Sequence, residues 1–306
     1  MSSTLIAVVL ALVLGHYVAP IVQLRRYGWF ARWLGWLGRQ MGTSFASPFA
    51  LLLALGLPLA LVAWAQQALA GHFLGLTGFA LAVLALCYCW GPRDLDLDVE
   101  AVEDASDEAA RQKALESLAG EGHPIAADDP ASLVRAVFRG ARRRWFGVLF
   151  WFLLLGPFGA LLYRLTERAT QTRAGAALPP AQAALWQHLL DILDWPVAHL
   201  MTLALAIVGH FDAVHGAWRD WHAARRGQGF DFSAGFLDAA AIVAVGQSLR
   251  DAAGERAADA GEDDTPAPPG DAPTPLEALH AAMAQVWRIL VGWIVVLALF
   301  VLAGYV

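Results

Sequence analysis

The sequence predicts an all-α membrane protein: a polytopic helical bundle of about six transmembrane helices (four to six) with helical cytoplasmic loops. Three observations support this prediction. Hydrophobic residues make up 58% of the 306 residues, charged residues only 16%, and the mean hydropathy is +0.50. The charges are confined to a few blocks. Several uncharged runs between these blocks are long enough to cross the roughly 30 Å of a bilayer's hydrocarbon core.

The first three predicted spans lie at about residues 3–22, 46–65 and 73–91. Residues 2–24 contain no Asp, Glu, Lys or Arg, and positive charge follows them instead of preceding them. This order predicts a retained helix and not a cleaved signal peptide. Residues 25–39 alternate arginines with aromatic residues, which is typical of an interfacial helix. Residues 40–92 again lack charge and are long enough for two spans.

A polar block follows, and residues 93–144 are predicted to form a helical cytoplasmic loop. It opens with an acidic D-x-D-x-D run at Asp94, but it lacks the glycine and the glutamate that a calcium loop needs. We therefore interpret the run as a solvated acidic helix from Asp94 to about Ala119. A second helix follows, for which Ser132 is the expected N-cap.

The fourth predicted span covers residues 145–163, a run without charge that directly follows several arginines. Gly156, Pro157 and Gly159 interrupt it. They allow either close helix approach or a break whose freed backbone groups could face a polar ligand. Tyr163 and Arg164 follow directly, so that a fixed cation is expected at this membrane edge.

The last two predicted spans lie at about 196–211 and 286–305. Residues 181–194 have the periodicity of a helix, which Trp195-Pro196 is expected to break or kink. Asp194 would then lie near the start of the next intramembrane helix, where free amide groups stabilise a carboxylate. Residues 254–276, which are rich in proline and acids, predict a disordered linker.

The candidate ligand-binding residues lie at two predicted membrane edges: Gly156, Gly159, Tyr163, Arg164, Asp194, Trp195 and His199. Three interpretations remain open for them. Arg164 and Asp194 could form an ion pair that only locks two helices together. The edge could instead bind a ligand, or it could catalyse a reaction.

The arginine distribution predicts the orientation of the bundle. Loops 25–39, 93–144 and 212–288 are richer in basic residues than loop 164–196. The positive-inside rule then places these three loops in the cytoplasm and both termini outside, with the bilayer as a partner.

The sequence lacks the common P-loop, hydrolase and zinc-binding motifs. Lys113 is the single lysine and has no glycine-rich approach, so a P-loop nucleotide site is excluded. Neither a hydrolase nor a zinc motif occurs, and we predict no cofactor and no metal. His210, His215 and His222 are the alternative metal candidates. Cys87 and Cys89 are read as small apolar residues, and the net charge of −6 argues against a nucleic-acid partner.

Four blocks resemble the AmpE family of Gram-negative bacteria: GPRDLDLDVEAV (91–102), FWFLLLGPFGALLYRL (150–165), LDWPVAHL (193–200) and ALAIVGHFDAVHGAW (204–218). The resemblance implies a regulatory or signalling inner-membrane protein that modulates β-lactamase induction, and hence antibiotic resistance, in response to cell-wall damage. It also implies a ligand derived from the cell wall or linked to a nucleotide.

AmpE is in turn similar to the membrane-bound adenosylcobinamide-phosphate synthases. They share a G-P-x-G-A-x-x-Y-R block, present here from Gly156 to Arg164, and a W-x-P-x-R-like block in which His199 stands where arginine is usual. Their N-T-x-D-S-M segment is absent, and residues 165–169 read LTERA. The sequence therefore favours a protein without enzymatic activity. An amide-forming synthase is the alternative, and a transporter is a third possibility that the absence of an inverted repeat disfavours.

Overall fold

The computed structural model of the chain describes residues 27–69, 76–90, 95–120, 125–126, 128–171, 178–227, 231–259 and 274–303. Throughout these ranges the regular structure is helical, without a strand, which confirms the all-α class. The helices are α1 (Gly28–Met41), α2 (Pro48–Leu69), α3 (Leu76–Cys89), α4 (Leu95–Glu103), α5 (Glu108–Ala119), α6 (Pro130–Ala141), α7 (Gly147–Leu155), α8 (Pro157–Thr170), α9 (Pro180–Val208), α10 (Phe211–Ala224), α11 (Gly235–Asp259) and α12 (Pro275–Leu302). A 3₁₀ turn, Gly42–Ala46, follows α1, and a π-helical turn, Arg142–Phe146, joins α6 to α7.

Among the described residues, three helices are long and apolar enough to cross a membrane: α2, α9 and the Pro275–Phe300 part of α12. This supports a membrane protein, and the described residues contain fewer such helices than the predicted total of about six (four to six). The 14 residues of α3 are apolar, but at 1.5 Å per residue they cover only about 21 Å of a 30 Å core. The first predicted span, 3–22, lies outside the described residues.

The predicted fourth span, 145–163, is not one continuous helix. Helix α7 stops at Gly156, whose φ of 65° lies in the left-handed region that glycine adopts easily. Helix α8 then begins at Pro157. The two helices then pack against each other as a hairpin. Gly147 of α7 lies directly against the Tyr163 ring of α8, and Gly159 lies against the backbone of Trp151. The second half of α8 therefore lies beside the start of α7.

Helix α9 is continuous from Pro180 to Val208 and contains Pro196 in its interior. The expected break at Trp195-Pro196 is therefore wrong, because the helix continues through the proline, and the kink expected as the alternative stays a prediction. Asp194 consequently lies in the middle of a helix and not at a helix start. Its carboxylate is stabilised by a side chain from another helix, and the predicted stabilisation by free amide groups does not apply.

The chain divides into two compact units. The first comprises the described parts of Met1–Arg93, Arg143–Val197 and Val296–Val306, and its helices α2, α3 and α7 pack around α8. The amphipathic helix α1 contacts α2 and buries Phe30, Leu34 and Leu37. All the candidate site residues except His199 belong to this unit.

The second unit comprises the described parts of Asp94–Arg142 and Ala198–Val295. The single helix expected from Asp94 is interrupted, because α4 ends at Glu103 and Asp107 caps α5 by accepting a hydrogen bond from the Ala110 amide (2.6 Å). Asp129, and not Ser132, caps α6. The first six residues of the predicted linker 254–276 are helical, and residues 260–273 lie outside the described part of the chain.

Candidate functional site

Two of the predicted site residues meet in the core of the first unit. The Tyr163 hydroxyl on α8 donates a hydrogen bond to Asp194 Oδ1 on α9 over 2.6 Å. Tyr163 is fully buried, and Asp194 is 2% exposed. The distance lies within the usual range of an O–H···O hydrogen bond. This contact joins the hairpin to the middle of α9.

Arg164 is also fully buried, and its guanidinium is surrounded by acceptors. Its Nε donates to the carbonyl oxygen of Cys89 at 2.6 Å, and its Nη2 donates to the carbonyl oxygen of Arg144 at 3.4 Å. Its Nη1 forms a salt bridge of 3.0 Å with Glu167 Oε2, one helical turn further along α8. The contact with Arg144 also shows that the two ends of the hairpin lie side by side.

Glu167 is shared between several arginines. Arg168 Nε lies 3.5 Å from the same Oε2, and Arg143 contributes a third positive charge. Burial alone would raise the pKa of the Glu167 carboxyl, but the charges of Arg164, Arg168 and Arg143 outweigh burial and hold that pKa below its usual value. Glu167 is therefore ionised at neutral pH, with three guanidinium groups around one carboxylate.

The hairpin turn brings Gly156 and Gly159 into tight packing. A Cβ on Gly159 would collide with the carbonyl oxygen of Trp151, and a Cβ on Gly156 would lie 3.1 Å from the side-chain amide nitrogen of Gln66. The helix breaks here, and the two glycines also permit close helix approach. At the break the Gly156 amide donates to the Phe152 carbonyl oxygen at 2.7 Å, and the Gly156 carbonyl oxygen accepts from the Ala160 amide at 3.2 Å.

His199 lies in the second unit, where it lines a cavity of about 400 Å³ between α9 and α10. His215 and Trp218 line the same cavity, with their rings stacked at 6.0 Å, and the remaining lining is apolar apart from Thr202. The His199 ring is 4.2 Å from that of Phe236. A cavity of this size suits a small organic ligand, and two imidazoles can each donate, accept or transfer a proton.

The structure therefore brings together only part of the predicted set. Tyr163, Arg164 and Asp194 meet in the first unit, and Trp195 is half-buried on the same stretch of α9. The proposed ion pair between Arg164 and Asp194 is replaced by two separate contacts, because Arg164 has its salt bridge with Glu167 and Asp194 accepts from Tyr163. His199 belongs to the separate cavity of the second unit.

The alternative metal candidates have other contacts. His210 Nε2 is 2.9 Å from Asp251 Oδ2, His215 stacks between aromatic rings, and His222 Nδ1 is 2.8 Å from the carbonyl oxygen of Trp218. Across the described ranges, no group of three or more His, Cys, Asp or Glu side chains is arranged to hold a metal ion.

Sequence reasoning missed Glu167 and Arg168 of the buried cluster, and His215 and Trp218 of the cavity. Glu167 could have been found, because residues three apart on a helix are neighbours and Arg164 needed a partner. No feature of the sequence indicates the role of Cys89, because its backbone carbonyl oxygen, and not its thiol, accepts the hydrogen bond from Arg164.

Comparison with known proteins identifies one informative relative. The chain is 32% identical over 215 residues to the cobalamin biosynthesis protein CobD of Chromobacterium violaceum. The aligned region covers 67% of this chain and 64% of that protein, so the chain spans less than two-thirds of the relative's length. No protein-family model matches the chain, and no solved structure matches it significantly. The similarity supports the relationship with the cobalamin-synthesis proteins and gives no support to AmpE in particular.

Proposed function

We propose that this protein acts in cobalamin biosynthesis as a multi-pass protein of the inner membrane. Its role would be that of an amide-forming synthase related to the adenosylcobinamide-phosphate synthases. The observation that supports this proposal best is the 32% identity to CobD over 215 residues. The three long apolar helices agree with the membrane location.

Within this proposal, the cavity at His199 is the candidate ligand site. It is a formed cavity with polar side chains, whereas the residues around Arg164 and Asp194 are buried and already hydrogen-bonded to protein atoms. His199 also occupies the position of the arginine in the W-x-P-x-R-like block that this chain resembles. The buried Tyr163–Asp194 and Arg164–Glu167 pairs would hold α8 and α9 together, with Trp195, Gly156 and Gly159 supporting the packing.

The test is the corrinoid content of a strain that lacks this gene and must make its own cobalamin. We expect complete corrinoids to fall and a corrinoid without the new amide to accumulate. The wild-type gene should restore the normal composition. His199→Ala should fail to restore it at normal protein levels, because the cavity loses a hydrogen-bonding group. An unchanged corrinoid composition in the deletion strain would refute the proposed function.

A matched control separates the cavity from general effects on α9. His188 lies on the same helix and its side chain is exposed. We therefore expect His188→Ala to restore corrinoid synthesis like the wild type. If His199→Ala restores it equally well, the cavity is not the ligand site.

A second candidate function is regulation of β-lactamase induction, as the AmpE resemblance implies. The departure from the synthase pattern keeps this function as the alternative: where the synthases carry N-T-x-D-S-M, this chain has Glu167, which is engaged in a buried ion pair. The same deletion strain discriminates the two functions. Altered induction with normal corrinoids would support regulation, and the reverse result would support synthesis.

A further inference from the structure

A groove of about 650 Å³ lies in the first unit, with Cys89 and Pro157 among the residues that line it. It runs between α2 and α3, with α1 and α8 forming its remaining walls. Its walls are almost wholly apolar, from leucines, prolines and aromatic rings. Representative lining residues are Trp29, Trp33, Leu57, Leu61, Leu84 and Tyr88. No charged side chain lines it, so a polar metabolite would find few partners there.

The groove opens on a surface of exposed apolar side chains. Leu57 and Leu61 on α2 are 52% and 60% exposed, and Leu84 on α3 is 66% exposed. Since α2 is a candidate membrane span, these leucines are expected to face lipid chains. The natural occupant of a groove between such helices is therefore a hydrocarbon chain.

One end of the groove carries aromatic residues with polar tips. The indole N–H of Trp29 donates to the Tyr88 hydroxyl, and the Tyr27 hydroxyl donates to the Tyr88 carbonyl oxygen, each at 2.8 Å. Trp33 donates to the carbonyl oxygen of Ala54 at 3.1 Å. Tryptophan and tyrosine of this kind concentrate at the level of lipid headgroups. This end therefore lies where a bound lipid would place its headgroup.

Positive charge lies next to this aromatic end. The Tyr27 and Tyr88 rings are 4.9 Å apart, and the guanidinium of Arg168 lies over the Tyr27 ring, 5.3 Å from its centroid. Arg168 shares the carboxylate of Glu167 with Arg164 and Arg143, so positive charge is in excess. The buried Nε of Arg143 has no hydrogen-bond partner. An anionic group near Arg168 would balance this charge.

We propose that the groove between α2 and α3 binds one hydrocarbon chain of an anionic phospholipid, with the headgroup phosphate at Arg168. The apolar walls hold the chain, and the excess of arginines selects the negative headgroup. The inference does not depend on the proposed function, because it uses neither the His199 cavity nor the corrinoid reaction.

Photo-crosslinking in membranes tests what occupies the groove. We expect p-benzoyl-phenylalanine in place of Leu61 to yield a covalent phospholipid adduct, detected by mass spectrometry of the purified full-length protein. Leu52 is the matched control, because it lies on the same helix with 65% exposure but does not line the groove. The same probe at Leu52 should give far less adduct. An adduct at Leu61 with residues 1–26 of the chain, or with a second copy, would overturn the proposal.

Native mass spectrometry of the delipidated protein tests the headgroup. With phosphatidylglycerol and phosphatidylcholine supplied in equal amounts, the bound ratio should favour phosphatidylglycerol by roughly fivefold, as one arginine contact predicts. Arg168→Gln should bring the ratio close to one, and Arg168→Lys should restore part of the preference. A preference for phosphatidylglycerol that survives Arg168→Gln would contradict a lipid headgroup at this residue.

Discussion

Replacing Arg164 by methionine should lower the free energy of unfolding by about 3–5 kcal/mol, because it leaves the buried Glu167 carboxylate without its closest partner. It also removes donors from the carbonyl oxygens of Cys89 and Arg144. Glu167→Leu alone should be similarly costly, since three arginines then lose their shared carboxylate. Thermal or denaturant unfolding in a fixed detergent measures both effects.

The double variant distinguishes an ion pair from independent packing effects. Arg164→Met with Glu167→Leu should lose clearly less stability than the two single losses added together, because neither charge is left facing a removed partner. Arg219→Met provides the control. Arg219 is exposed and lies 3.6 Å from the exposed Asp220, so that its replacement should change stability by less than about 0.5 kcal/mol. Strictly additive losses would contradict the buried pair.

Gly159→Ala should prevent the α7–α8 hairpin from closing properly. The added methyl group collides with the carbonyl oxygen of Trp151 and would lie 2.8 Å from Leu155 Cβ, so that backbone has to move. Overpacking of this kind costs about 1–3 kcal/mol even where side chains can adjust, and backbone adjusts less readily. We expect a large loss of folded protein, measured by size-exclusion yield and by the unfolding midpoint.

Gly56→Ala is the control for this glycine. Gly56 is a helical glycine of α2 in the same unit, and an added Cβ there meets nothing within 4 Å. Because alanine favours a helix more than glycine does, Gly56→Ala should leave the free energy of unfolding unchanged or raise it slightly. Equal behaviour of the two variants would mean that the close approach at Gly159 does not hold the hairpin together.

The sequence predicts the helical class and the apolar elements well, because composition and uncharged run length report directly on them. It does not distinguish a crossing helix from a hairpin at 145–163, since the same apolar length satisfies both. The relevant signals were present at Gly156, Pro157 and Gly159, but their meaning depends on Gly147 lying opposite Tyr163 across the turn. Such pairing is a tertiary contact and has no local pattern.

In the candidate site, too, the sequence indicates individual residues but not the contacts between them. The sequence singles out Tyr163, Arg164 and Asp194 because they lie at predicted membrane edges, and in the structure all three are buried with hydrogen-bond partners. Their pairing was not predictable, since Asp194 meets a residue 31 positions away. Pro196 was misread because the rule for the residue before proline is local, whereas the packing around α9 is not.

The most direct test of the hairpin is to determine on which side of the membrane the chain lies before it and after it. In a background with Cys87→Ala and Cys89→Ala, Glu116→Cys and Ala181→Cys each provide one exposed thiol. We expect a membrane-impermeant maleimide to label either both positions or neither in intact spheroplasts, and both once the membrane is permeabilised, because the chain turns back at Gly156. Labelling of only one of the two positions in intact spheroplasts would show that residues 145–163 cross the membrane and would contradict the fold described above.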